Sequence, residues 1–462
     1  MSIPTTTPSG KVSYPYRSYA CYLSCLLFWL SAPALSAGIA TMEQSVKELG
    51  QAISGAPVNT DDGSMVFFNP GAMNQVRGKL VSLAGYAVAP STTFQDSSSH
   101  LNPSQGEMGG IPILGNNGGN VIDSIFMPSF YYVHEVTKRL ALGLGANVPF
   151  GVRSSYHPDW KGRYQAIDSE ITALNINPSL SLQLTEKLSF GAGFNVQYLH
   201  ARLTNAIDYG AICFQAIGAM PCTSQGLLPQ TADGHVSLKG DSIGLGYNFG
   251  AFYAMNQDTH FGVSYRSRVA HDVQGKANFS VPDSAIALVQ GKAFADSSAR
   301  TAVTLPDNVL IGFSHRFHPR WMISADALWT NWSLIQELRT NFSSAQPDDV
   351  QHLKWKDTWR YAVGISYFSE NHRWILRTGF AYDQTPIPDS QHRSPRIPDN
   401  DRFWLTAGFT HKLQKNIHIH GAYAHLFMKD PLINRRGPTS DYLVGQYSAR
   451  IHIVGLQIDL KF

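Results

Sequence analysis

Six arginines spread along the second half of the chain, Arg266, Arg268, Arg316, Arg360, Arg377 and Arg402, fall on the polar faces of segments that alternate residue by residue. A partly buried guanidinium binds a carboxylate through paired N–H donors, so each is a candidate partner for an anionic group. The competing role is structural, in ion networks with Asp326, Asp383 and other acids of the same faces. His418 and His420 form an i, i+2 pair on one strand face, but two ligands do not make a metal site, and no metal or other cofactor is expected. Neither a G-x-S-x-G elbow nor an H-E-x-x-H pair occurs, so no catalytic residue is assigned. Cys213 and Cys222 bound the segment CFQAIGAMPC, a spacing that suits a disulfide closing one small loop.

Positioning these groups falls to strands. From residue 78 onwards, Leu188 to Tyr198 is typical: Leu188, Phe190, Phe194, Val196 and Tyr198 share one face, and Ser189, Gly191, Asn195 and Gln197 the other. A lipid-facing apolar side with a water-facing lumen behind it explains that division, repeated strand after strand. Fourteen strands are expected, near 78–90, 124–136, 138–150, 164–184, 187–206, 235–256, 258–280, 302–318, 320–339, 351–368, 372–385, 400–413, 416–429 and 446–462. Short turns such as Thr185-Glu186-Lys187 and His318-Pro319-Arg320 alternate with long loops near 91–123, 207–234, 281–301 and 386–399. That asymmetry, and an even strand number, are those of an outer-membrane barrel. The last strand ends IVGLQIDLKF, with Val454, Leu456, Ile458, Leu460 and Phe462 on one face. Pairing it with the first strand would leave no edge in lipid. Trp329, Trp332, Trp355, Trp359, Tyr361, Tyr367, Trp374 and Trp404 are expected at the membrane interfaces.

Composition agrees. Charged residues are 15% of the 462, against about 25% in soluble domains. Residues 1–36 contain Lys11 and Arg17, no acid, the apolar run YACYLSCLLFWL and then SAPALSAG, the plan of a secretory signal cleaved after Ser36. Its removal lowers the formal charge from +3 to +1, which excludes nucleic acid as a partner. Residues 37–77 show no alternation and precede the barrel of 78–462, either as a periplasmic arm or as a lumen plug. Asn69-Pro70-Gly71 within them favours a tight turn.

The segments DDGSMVFFNPGAM, GFNVQYLHARL, Tyr265 to Ser267, LPDNV, WTNWS, RTGFAYDQTPIPD and IPDNDRFWLTAGF resemble the FadL family of outer-membrane long-chain fatty-acid transporters, along essentially the whole mature chain. The resemblance implies an all-β fold, a 14-stranded antiparallel transmembrane β-barrel closed by an N-terminal hatch. The family's Asn-Pro-Ala turn falls on Asn69 and Pro70, with Gly71 before Ala72. It also implies a route: an outer apolar groove, a lumen pocket, hatch movement and lateral exit into the membrane at a kinked strand. Candidates for the groove are Ile212, Phe214, Ile217, Met220, Leu227, Leu228, Ile286, Leu288, Val289 and Phe294, whose alternative role is to pack the loops against each other. Where the family can place basic carboxylate contacts this chain has Asn205 and Gln351, with Lys354 and Lys356 nearby. Relatives in the family pass monoaromatic hydrocarbons, which need no carboxylate partner. Expected partners are a long-chain fatty acid or other hydrophobic ligand, outer-membrane lipid and lipopolysaccharide, and the barrel assembly machinery during biogenesis; the protein is expected to be a monomer. A general diffusion porin, with an open lumen, is the reading from another class.

Overall fold

The computed structural model describes residues 38–462 except 103–109, 123 and 290–292. The signal segment 1–36 lies outside the described residues. Alternation with an apolar outer face has its expected consequence: the described strands pair antiparallel around a closed ring. In chain order the staves are β1 (Lys79–Asp96), β2 (Ile125–Thr137), β3 (Leu140–Ser155), β4 (Asp168–Gln183), β5 (Leu188–Asp208) and β6 (Asp233–Ala254). They continue as β7 (Thr259–Arg266 and Val269–Ser280), β8 (Ser297–Leu305 and Asn308–His318), β9 (Trp321–Thr330 and Glu337–Phe342) and β10 (Asp349–His352 and Thr358–Phe368). The ring is completed by β11 (Trp374–Asp383), β12 (Arg402–Gln414), β13 (Ile417–Met428 and Leu432–Arg436) and β14 (Asp441–Lys461). Closure joins β14 to β1 in continuous register, from Leu80 opposite Lys461 to Asp96 opposite Gly445. The backbones of Lys79 and Phe462 exchange hydrogen bonds of 2.9 and 2.8 Å, so the terminal strand leaves no unpaired edge at that seam.

Outward side chains such as Leu180, Phe190, Phe194, Leu245, Phe249, Phe380 and Leu456 are exposed, as a wall facing lipid requires. The inward face differs from expectation. Its Gly, Ser, Asn and Gln meet protein rather than water, because residues 38–77 run through the lumen and are almost entirely buried. Three of the expected interface tryptophans are inside as well: Trp332, Trp355 and Trp404 are buried, with Trp332 edge-on to Trp355 at 5.1 Å. Trp404 shares its strand face with Arg402, so parity sends both inward, while Trp332 and Trp355 sit in interruptions of β9 and β10 that break the alternation. Trp359, Tyr361 and Trp374 do face outward.

The buried segment is short turns of helix, Val46–Leu49, Ala56–Val58, Met65–Phe68 and Pro70–Gln75. None is long enough to be stable alone, so the segment depends on its barrel contacts. Several of its polar groups satisfy one another: Lys47 donates to Asn59 Oδ1 (2.6 Å) and pairs with Glu48 (3.1 Å), and Asp62 accepts from Ser45 Oγ (2.7 Å) and Asn59 Nδ2 (2.9 Å).

Candidate functional site

The Asn69-Pro70-Gly71 turn joins the hatch closely to the wall. Asn69 is fully buried and its side chain makes three hydrogen bonds: Oδ1 accepts from the Gly71 N–H (3.0 Å), and Nδ2 donates to the carbonyls of Pro57 (2.6 Å) and Ala251 on β6 (2.9 Å). The oxygen caps the helical turn Pro70–Gln75, whose first position suits a proline because no N–H is needed there. The wall makes room with glycine. A Cβ on Gly250 would lie 1.9 Å from Asn69 Oδ1, and one on Gly191 would lie 2.3 Å from the Pro70 carbonyl carbon. Both residues must therefore be glycine for the turn to seat.

The six arginines separate into groups. Arg266, Arg360, Arg377 and Arg402 are buried and serve the hatch or its surroundings. Arg266 donates to Asn195 Oδ1 (2.6 Å) and the Phe67 carbonyl (2.8 Å), with its guanidinium 4.1 Å above the Phe67 ring. Arg360 donates to the Ala52 carbonyl (2.6 Å) and lies 3.7 Å from Asp326; Arg377 donates to Thr410 Oγ1 (2.6 Å). Arg402 contacts Asp399 and lies 3.7 Å from Asp383. Arg268 does not face inward: the interruption at 267–268 shifts β7 by one residue, leaving its side chain half exposed and paired with Asp307 (3.3 Å). Arg316 is beside the short turn at Pro319, its guanidinium 4.2 Å above the Phe368 ring. None of the six lines the two cavities described next. His420 is held by Asp459 (2.9 Å) and Thr410 (2.7 Å) as a buried polar strut.

Two cavities adjoin at Leu238. The outer one, about 440 Å³, is apolar on the side of Ile212, Val236, Phe279 and Phe294, and polar toward Asn205, Gln351 and Arg435, with Asp348 and Asp349 also on its lining. The inner one, about 80 Å³, is almost wholly apolar, lined by Ile171, Leu199, Val273, Val303, Leu305 and by Ile39 of the hatch. Of the loop candidates, Ile212 and Phe294 line the outer cavity. Leu227 is fully buried in the loop core that also holds the Cys213–Cys222 disulfide, and Phe214, Leu288 and Val289, like Ile212 and Phe294, pack against that core. Ile217, Met220, Leu228 and Ile286 remain exposed. The packing role therefore accounts for Leu227, Phe214, Leu288 and Val289.

Two cations absent from the sequence-level candidates stand at the polar end. Arg396 donates to Asn205 Oδ1 (3.1 Å), and Arg435, 9% exposed, lines the outer cavity, its Nη1 without a hydrogen-bond partner among the described residues. Arg435 was hidden because it follows the interruption at 429–431, where alternation cannot be carried forward. Arg396 sits in a loop with no periodicity to read.

The inner cavity touches the hatch where the wall is irregular. Pairing of β2 with β3 ends at Phe130 opposite Ala146, and β3 skips register against β4 between Asn147 and Phe150. There Thr41 N–H donates to the Pro149 carbonyl (2.9 Å) and Gly151 N–H to the Ile39 carbonyl (2.7 Å), so the hatch takes the place of a neighbouring strand.

This arrangement is one that comparison can decide. Residues 27–462 match the family model described as outer membrane protein transport protein (OMPP1/FadL/TodX). The chain belongs to this family. It is 27% identical over 423 residues to the long-chain fatty acid transport protein of Escherichia coli strain K12, covering 88% of this chain and 92% of that one. The crystal structure of a Pseudomonas aeruginosa FadL homologue superposes with a TM-score of 0.83 at 23% identity, covering 92% of this chain and all of the other. The Pseudomonas putida toluene transporter TodX gives 0.64 at 19%, over 87% and 94%. As a FadL-family member, the chain is an outer-membrane transporter of hydrophobic compounds in a Gram-negative bacterium, and not an enzyme.

Proposed function

We propose that the barrel takes up long-chain fatty acids, holding the carboxylate at the polar end of the outer cavity and feeding the alkyl chain toward the inner one. The observation that carries this reading is Arg435, a buried cation that borders, beside Asn205 and Gln351, a cavity whose opposite side is apolar; its Nη1 has no hydrogen-bond partner among the described residues, and a carboxylate there has to offset Asp348 and Asp349 on the same lining. A desolvated donor of that kind costs about 1–3 kcal/mol if left unmade, and an anionic head group removes the cost. Asn205 and Gln351, at the positions where FadL relatives can carry cations, border the same cavity, so Arg435 on β13, with Arg396 behind Asn205, supplies from elsewhere the charge missing there. Each CH₂ transferred to an apolar lining gains about 0.8 kcal/mol, which favours a long chain over a single ring.

From the inner cavity the ligand reaches Ile39, whose backbone holds β3 at its irregular point. Displacement of Ile39 to Thr41 by ligand frees the β2–β3 seam and opens a lateral way into lipid. Uptake of monoaromatic hydrocarbons by the same route is the second reading, favoured by the fold shared with TodX.

The test is competition on purified barrel between a fluorescent long-chain fatty acid, unlabelled fatty acid and toluene, with Arg435→Gln alongside. Displacement by fatty acids but not by toluene, and affinity roughly tenfold lower in Arg435→Gln, are expected, since charged hydrogen bonds contribute about 1.5–3 kcal/mol. Equal displacement by toluene with no effect of the substitution would hand the site to hydrocarbons.

A further inference from the structure

Outward from the barrel, Arg202 on β5, Lys239 on β6 and Lys276 on β7 occupy one cross-strand row: Arg202 is directly opposite Lys239, and Lys239 directly opposite Lys276. All three side chains are exposed. Directly opposed like charges on a sheet have Cβ atoms about 5 Å apart and destabilise it. Two nearby acids have other hydrogen-bonding partners. Asp241 is held by His200 (2.8 Å) and Tyr198 (2.5 Å), and Asp272 by Arg300 (2.5 Å). The row continues to Glu170, opposite Arg202, and Arg153 beyond it, so five adjacent staves carry four cations and one carboxylate along it. Among the described residues no ion pair joins Glu170 to either arginine.

Height on the wall identifies what neutralises the row. On β5 the exposed apolar side chains run from Phe190 to Tyr198, and on β6 from Tyr253 to Ile243. With ~3.3 Å rise and ~40° tilt, each residue climbs about 2.5 Å, so an apolar band ~25 Å tall starting at Phe190 ends near residue 200. The cation row lies immediately above, on the side of the long loops, which is the head-group level of the outer leaflet. We propose that Arg202, Lys239 and Lys276 bind a phosphate group of an outer-leaflet phosphorylated glycolipid, whose acyl chains lie along the apolar band beneath. Lysine ammonium groups and a guanidinium suit a phosphate monoester, and contact at a lipid surface keeps the ion pair partly desolvated.

The experiment uses the full barrel in zwitterionic detergent, wild type against R202Q/K239Q/K276Q, with K187Q at the opposite rim as control. Binding is read for bis-phosphorylated lipid A, its dephosphorylated form and inorganic phosphate. Wild type and K187Q should bind lipid A equally, and the triple variant and the dephosphorylated lipid should each bind at least about tenfold more weakly, with affinity falling as salt shortens the Debye length from ~10 Å. Lipid-free thermal stability of the triple variant should be no lower than wild type, because repulsion has been removed. Should it fall, K239Q and K276Q alone decide, each expected to weaken lipid A binding. Equal binding by the variants, or by dephosphorylated lipid, overturns the site. Displacement of lipid A by equimolar inorganic phosphate overturns the glycolipid assignment in favour of free phosphate.

Discussion

At the scale of single residues, the hatch depends on a few buried polar groups. Asn69→Ala removes three buried hydrogen bonds while the barrel wall is untouched. Normal membrane insertion with reduced uptake is expected, and hatch amides should exchange at least tenfold faster, given about 1–3 kcal/mol per orphaned partner. Wild-type uptake would remove Asn69 from the mechanism. Glu43 offers a pH test. Burial holds its carboxyl up at about 7, against 4.5 ordinarily, with Arg402 and Arg360 acting in opposition and Asp383 adding to the rise. Its own backbone amide also opposes the rise, and no side chain among the described residues hydrogen-bonds either oxygen. A released hatch would ionise near 4.5 while the docked one resists until about 7, so docking weakens as pH rises through that window and levels off above it. Hydrogen exchange across the hatch should show this slope, and Glu43→Gln should flatten it. The arginines show what sequence can and cannot say at this scale: parity placed Arg266, Arg360, Arg377 and Arg402 inward, but parity does not reveal whether a ligand or the hatch meets them there.

Elements obey a simpler rule. Alternation of apolar and polar residues decides which face meets lipid, and the strands and their closure follow from it without reference to ligand. The rule fails at interruptions. Breaks at 267–268, 331–336 and 353–357 reset the phase, which is why Arg268 points outward and Trp332 and Trp355 point inward. The inner face of the wall is shaped for the hatch, and Gly250→Ala tests this. Its added methyl would meet Asn69 Oδ1 at 1.9 Å, so the turn must leave its seat. Barrel assembly should persist, since β6 keeps both neighbours, while small-ion conductance in planar bilayers should rise above wild type. Unchanged conductance would show that the hatch tolerates the substitution in place.

Across the whole molecule, a barrel filled by its own N-terminal segment cannot act as an open pore until that segment moves. Wild-type protein should therefore give no sustained small-ion conductance, and steady porin-like currents would contradict the packing seen in the lumen. A sequence without alternation left 37–77 either inside or outside; only the neighbours it contacts place it inside, because no local pattern encodes a docking partner. Transport adds the requirement that the plug be released by ligand. Ser54 Oγ of the hatch lies 2.8 Å from Ser324 Oγ of β9, close enough for a cysteine pair to tether the two. The decisive measurement is uptake of labelled long-chain fatty acid by Ser54→Cys/Ser324→Cys in a Cys213→Ser/Cys222→Ser background, oxidised and then reduced. Uptake that stops on oxidation and returns on reduction is predicted; equal uptake in both states would show that transport proceeds with the hatch fixed.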